Sequence, residues 1–164
     1  MNPKSLILLE YHKVLEKLKA HTSFPASAEM ATGLRPTANL EKAQSLQTLT
    51  AEAKLLLETI GDLSFSGAVD LRPLTDQALH AMTLDSQTFL AIRNTLQLSR
   101  DAKRQFENQA EKTPALFDLS QGLSDGGGLI DQINRTISDR GEVLDSASGE
   151  LGRIRSEMKV THSR

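Results

Sequence analysis

Cysteine and tryptophan are absent from this 164-residue chain, tyrosine occurs once, and aromatics reach only 4%. Without cysteine there is no disulfide framework, no zinc finger, no iron–sulfur site and no thiol nucleophile, and a reducing compartment is compatible with the chain. Long hydrophobic runs are also missing. The cluster Leu6-Ile7-Leu8-Leu9 is interrupted at once by Glu10, His12 and Lys13. That is too short and too soon charged for a transmembrane span, and no small-residue cleavage site follows as in a signal peptide. The expectation is a soluble cytoplasmic protein with no membrane partner. A strong charge of one sign is lacking too: the net charge is −2, so nothing global favours a polyanion, and nucleic acid would need a local stripe of cations.

What is present is leucine and alanine. They carry most of a hydrophobic content of 38%, and neither is β-branched or aromatic, which favours helix over sheet. Apolar residues at Leu6, Leu9, Val14, Leu15 and Leu18 predict an amphipathic helix from Ser5 to about His21. Pro25 suits the first turn of a short helix that Gly33 and Pro36 close. Asn39 is placed to cap a helix running to Ile60, with Gly61 as its stop. Residues 61–69 read as a loop. Asp70 is expected to cap the next helix, with Pro73 in its first turn, and Asp85 the longest pattern, through Phe89, Ile92, Leu96, Ala102 and Phe106, which Pro114 breaks. A short helix around Leu116, Leu119 and Leu123 leads to Gly126-Gly127-Gly128, and Leu129, Ile130, Ile133 and Ile137 form another stripe. No alternating β-branched run appears. The fold class is therefore all-α: a core domain of about seven helices over residues 1–145, then a long carboxy-terminal helix from 146 that runs to the chain end at Arg164. A helix without a stop signal points to a piece of something longer.

Few patterns invite a chemical reading. The triple glycine lacks the lysine and hydroxyl of a phosphate-binding loop, and Asp131 would repel phosphate, so a turn between helices is expected. Asp131, Asp139, Glu142 and Asp145 form an acidic cluster. As paired carboxylates they could hold a divalent cation for a small metal-dependent hydrolase, but the spacing matches no calcium loop. The plainer expectation is that Asp145 caps the last helix while Gly141 takes a left-handed turn. Histidines 12, 21, 80 and 162 are scattered without metal spacing, and neither Ser146 nor Ser148 has a histidine near it in sequence. No enzyme constellation emerges. Arg153, Arg155, Lys159 and Arg164 make the only basic stripe, diluted by Glu150 and Glu157. It is read first as a solvated face, and otherwise as a contact with nucleic-acid backbone or a neighbouring helix, with the helix preferred. Ala147, Leu151, Ile154 and Met158 form an apolar stripe that must bury against something.

Taken in order, Leu9-Glu10-Tyr11-His12-Lys13-Val14, Leu34-Arg35-Pro36, Glu52-Ala53, Gly67-Ala68-Val69-Asp70-Leu71-Arg72, and Gly141-Glu142-Val143-Leu144-Asp145-Ser146-Ala147-Ser148 with Leu151 and Ile154-Arg155 resemble the amino-terminal portion of a bacterial MutS paralogue family, endonuclease MutS type two. The likeness is colinear over nearly the full length. Its most specific part is the block holding Gly141, Glu142, Val143, Asp145, Ala147 and Ser148, the candidate structural motif. Two departures occur: Ser138 stands where an aspartate is common, and Pro25-Ala26-Ser27 replaces a glycine-containing turn.

The resemblance implies a chain without the mismatch-reading and connector domains of true MutS; consistent with this, no Phe-x-Glu wedge occurs. It implies a helical core whose last helix continues as a lever toward a DNA-embracing clamp. ATP and magnesium belong to an ATPase domain, and nuclease activity to a further domain, neither of them in this segment, which would need no cofactor or metal and catalyse nothing. The implied partners are the rest of the parent chain, a second subunit in a full-length homodimer, and DNA or the ribosome through the parent. Family roles are suppression of homologous recombination and, in some bacteria, rescue of collided ribosomes. The competing expectation is a self-contained helical module that dimerises through its last helix.

Overall fold

The structure is a computed structural model that describes residues 3–61 and 63–162. Among these residues the regular elements are all helices, with no strand. The helices are α1 (Pro3–Leu8), α2 (Tyr11–Lys19), α3 (Pro25–Gly33), α4 (Leu40–Ile60), α5 (Arg72–Leu79), α6 (Ser86–Asn108), α7 (Pro114–Ser120), α8 (Gly127–Thr136) and α9 (Gly149–His162), with a 3-10 turn at Asp145–Ala147. The all-α expectation therefore holds, and α9 supplies the long carboxy-terminal helix. Its continuation to Arg164 lies outside the described residues.

Local chemistry explains most boundaries. The Asn39 side chain accepts from the Lys42 N–H at 2.9 Å, and Asp85 accepts from the Thr88 N–H at 2.7 Å, so α4 and α6 each begin on a capping oxygen. The Thr88 bonds hold the Asp85 carboxyl below its ordinary range, because they favour the charged form. Prolines 25, 73 and 114 all sit in first turns, where a missing N–H is no loss.

Two expected starts are corrected. The first amphipathic stretch is two helices rather than one, since Glu10 adopts a left-handed conformation (φ 50°, ψ 34°) between α1 and α2. The reason is phase: Leu9 and Val14 are one residue too far apart to share a helical face. The fifth helix begins at Arg72, with Leu71 rather than Asp70 in the capping position. The triple glycine also differs from a simple loop, as Gly126 precedes α8 and Gly127 and Gly128 form its first turn.

The chain divides into two compact units, one of Met1–Asp70 with Leu98–Ser124, the other of Leu71–Gln97 with Asp125–Arg164. Helix α6 contributes residues to both. In the first unit α2 packs on α3 and α4 on α7, around the buried side chains Leu15, Ala31, Leu56 and Leu116. Pro114 and its neighbours leave the start of α7 with unpaired N–H groups, and the Glu52 carboxylate on α4 accepts from the Leu116 N–H at 2.9 Å. In the second unit Leu90, Ile133 and Ile137 form the core, flanked by Phe89 and Ile92. Ile130 is only 2% exposed.

Much apolar surface stays uncovered. The accessible surface is 12000 Å² for 17.9 kDa. Leu8, Leu40, Met30, Leu79 and Met158 are all exposed. No helix of the described residues is long and apolar enough to cross a membrane.

Truncating Ile130 to alanine should lower the unfolding free energy by about 2–4 kcal/mol, since it opens a cavity in a filled site. Leu79→Ala, at an exposed position, should change it by less than about 0.5 kcal/mol. Urea titration followed by circular dichroism compares the two.

Candidate functional site

The residues between α8 and α9 form a tight hook. Ile137 leaves α8 in an extended conformation and pairs with Val143 in an antiparallel bridge. The Ser138 N–H donates to the Glu142 carbonyl at 2.8 Å, and the Leu144 N–H to the Thr136 carbonyl at 2.8 Å. The Ser138 hydroxyl oxygen accepts from the N–H groups of Arg140 at 3.3 Å and Glu142 at 3.1 Å. This oxygen does what a carboxylate would do in an Asx-type turn, which accounts for serine serving at that position.

Gly141 closes the turn with φ 83°, a conformation that L side chains disfavour. A side chain would also displace the end of a neighbouring one. A β-carbon there would run into the Gln87 side-chain nitrogen and lie 3.2 Å from the Ser86 hydroxyl, so the turn sits directly against the first turn of α6. Arg93, also on α6, donates to Asp139 at 2.8 Å and to Asn134 at 3.1 Å.

The second half of the hook bears on α9. The Ser146 hydroxyl donates to the Arg135 carbonyl at 2.7 Å. Arg155 Nη1 donates to the Val143 carbonyl and to Asp145 Oδ1, both at 2.7 Å. Asp145 is therefore not the cap of the last helix. That role belongs to Ser148, whose hydroxyl oxygen accepts from the Leu151 N–H at 3.1 Å, while Asp145 enters the 3-10 turn one step earlier. The Arg155 hydrogen bond is the main reason that the Asp145 carboxyl lies below its ordinary range, with Lys159 adding a weaker attraction.

The other candidates are not gathered into a reactive centre. Arg153 pairs with Glu157 at 2.9 Å on an exposed face, and residues two apart on a helix point in different directions, so Arg153 and Arg155 do not form one stripe. Lys159 is exposed, and Arg164 lies outside the described residues. Asp139 and Asp145 are each matched to an arginine, and no group of acids and histidines among the described residues is arranged to hold a metal ion. The apolar stripe of the last helix is open: Ile154 is 41% and Met158 66% exposed, whereas Ala147 belongs to the 3-10 turn. What spacing alone did not reveal is a groove of about 610 Å³ under the hook, lined by Phe89, Leu129, Ile133, Ile137, Val143 and Ala147. In the first unit the blocks around Tyr11 and Arg35 meet at a smaller hollow of about 310 Å³ with Leu6, His12 and Leu15.

No family model matches the chain. Among curated proteins it is 33% identical over 167 residues to "Endonuclease MutS2" of Geobacillus kaustophilus, covering 100% of this chain and 21% of that one. The protein of the same name from Thermomicrobium roseum gives 33% over 167 residues, with 100% and 21% covered. That from Pelotomaculum thermopropionicum gives 32% over 163 residues, with 99% and 21% covered. The chain belongs, as a segment, to the MutS2 family. It spans about a fifth of the length of these relatives, so the hook and α9 are parts of what is, in those proteins, a much larger chain.

Two measurements check the hook. Gly141→Ala should cost about 1–3 kcal/mol of stability, from the left-handed backbone and from displacing Gln87. Asp145→Asn should flatten the acid limb of the stability profile. A carboxyl whose folded-state pKa is depressed stabilises above its unfolded value, and that contribution is lost as pH falls below about 4. The gap between the two proteins in urea midpoint should therefore be largest near neutrality and shrink in acid.

Proposed function

We propose that this chain is the core-and-lever segment of a MutS2-type protein and catalyses nothing itself. Residues 1–145 serve as the core and 146–164 as the start of the lever, which carries motion between a clamp and an ATPase belonging to the rest of such a protein. ATP and magnesium would act in that ATPase. DNA, or the ribosome, would be met through the parent, which works as a homodimer in the cytoplasm. The endonuclease activity in the relatives' names is assigned to parts outside this segment. The observation that carries this reading is the match of the whole chain to about a fifth of each relative.

The physics agrees. A helix of α9's kind transmits displacement along about 1.5 Å per residue, and α9 is held at its start by the hook while Ile154, Met158 and Val160 lie exposed. Those side chains, like the groove under the hook, suit packing against further helices of a parent chain. For Arg153, Arg155 and Lys159 this favours a role in holding or flanking the lever over contact with a phosphate backbone.

The exposed face of α9 also supports the alternative, a helical module that dimerises through this helix. Sedimentation over a wide concentration range separates the two, because self-association by that route must strengthen with concentration and weaken in Ile154→Asp. For the main proposal, the purified chain should neither hydrolyse ATP nor cut DNA. A chimera carrying it in place of the corresponding fifth of the Geobacillus protein should hydrolyse ATP. Nucleotide hydrolysis or cleavage by the chain alone, with contaminants excluded, rejects the proposal.

A further inference from the structure

We propose that Arg155 is a clasp that fixes the direction of α9: closed on the hook it makes the Ser148–Gly149 joint rigid, and open it leaves that joint a hinge. The inference stands on this chain's own geometry and does not need the family reading.

Little besides the first-turn bonds to Ser148, from the Leu151 N–H to its hydroxyl oxygen and the Gly152 N–H to its carbonyl, both at 3.1 Å, crosses the joint. Ser148 is extended (φ −151°, ψ 148°), and Gly149 has open space where a β-carbon would be. Burial does little to oppose rotation, since no residue of α9 is buried. Leu151, Gly152 and Arg155 are half-covered, and everything from Ser156 to His162 is exposed. The Ser148 hydroxyl bond to Leu151 lies at the pivot and has almost no leverage against a swing. Arg155 lies about 9 Å further along the helix, and its bonds to the Val143 carbonyl and to Asp145 act at that distance.

The acceptors are themselves anchored. Val143 is bridged to Ile137, and Ser146 beside Asp145 is bonded to the Arg135 carbonyl on α8. The clasp thus has a fixed half and a mobile half. Gly152 completes it, for a β-carbon there would stand 3.1 Å from the Asp145 backbone oxygen. A side chain there would be a tight fit, so α9 or the hook would have to give slightly to admit one. Both charged partners keep solvent access, with Arg155 39% and Asp145 54% exposed, so opening the clasp strands neither charge in an apolar interior.

The chain has no cysteine, so spin labels at Asp131→Cys on α8 and Ser156→Cys on α9 report on this motion alone. Pulsed electron–electron distance measurement on the full 164-residue chain should give one narrow peak. Arg155→Gln should lose that peak to a broad distribution while circular dichroism keeps its helical signal, because glutamine supports helix about as well as arginine. Gly152→Ala, which cannot weaken the helix, should shift the mean distance. Arg153→Gln should leave the peak unchanged. A broad distribution in the parent, an unchanged peak in Arg155→Gln, or equal broadening in Arg153→Gln would each overturn the clasp. If Arg155→Gln loses helical signal, Gly152→Ala decides: a shifted mean supports the clasp and an unshifted one rejects it.

Discussion

The second unit is organised by one constraint, the reversal of the chain between Ile137 and Val143. Helix α8 must stop, turn back within a few residues and release the chain toward α9, all on a surface already occupied by α6. A left-handed residue without a side chain makes that turn against Gln87 and Ser86 with nothing to displace, and Gly141 is that residue. Once the turn is set, the bridge brings the Val143 carbonyl and the Asp145 carboxylate to the side where Arg155 meets them. The block that carries the family likeness is thus a sequence of backbone solutions. Gly141 supplies the φ, Ser138 and Ser146 supply local bonds, Asp145 binds the next helix and Ser148 caps it.

How much of this was legible depends on how local each cause is. Asn39 and Asp85 act on backbone groups three residues away, and such caps can be read from a single line of sequence. The prolines at 25, 73 and 114 are equally local. The break at Glu10 was visible in principle, as a phase slip between Leu9 and Val14 that an eye for continuous amphipathicity passes over. Asp145 differs from its expected role because three oxygen-bearing residues, Asp145, Ser146 and Ser148, precede the helix. What decides among them is an arginine ten residues on that claims the aspartate. Helix α7 hides its cap entirely: the Glu52 carboxylate comes from another helix, and no window around Pro114 contains that information. The groove under the hook draws on α6, α8 and the hook together, so spacing within any one segment could not outline it.

The uncovered apolar surface gives the family assignment its physical sense. A chain of this size normally hides most of the leucine it carries, yet Leu8, Leu40, Met30, Leu79, Leu119 and Met158 stay largely exposed here. In the second unit an open groove and a helix without a buried residue add to them. Relatives about five times as long have further chain beyond the matched fifth. On the segment proposal such faces are left for that further chain to cover, and the low aromatic content is consistent with it, because aromatics do most of their work in filled cores.

The two arginines of the hook show how one loop can be both anchored and releasable. Arg93 presents its guanidinium to Asp139, Asn134 and Asn94 with its side chain only 13% exposed, and its buried Nε has no partner among the described residues. Taking Asp139 away would leave a largely covered cation with amide oxygens alone, although Asp139 itself is 88% exposed. Arg155 is exposed enough that water replaces its partners readily, so solvent screens the pair. The first interaction therefore belongs to the fold, whereas the second is screened enough for a modest pull on α9 to undo it. On the lever proposal, Arg93 supplies a foot that does not move, and Arg155 a joint whose stiffness is set by a weaker contact.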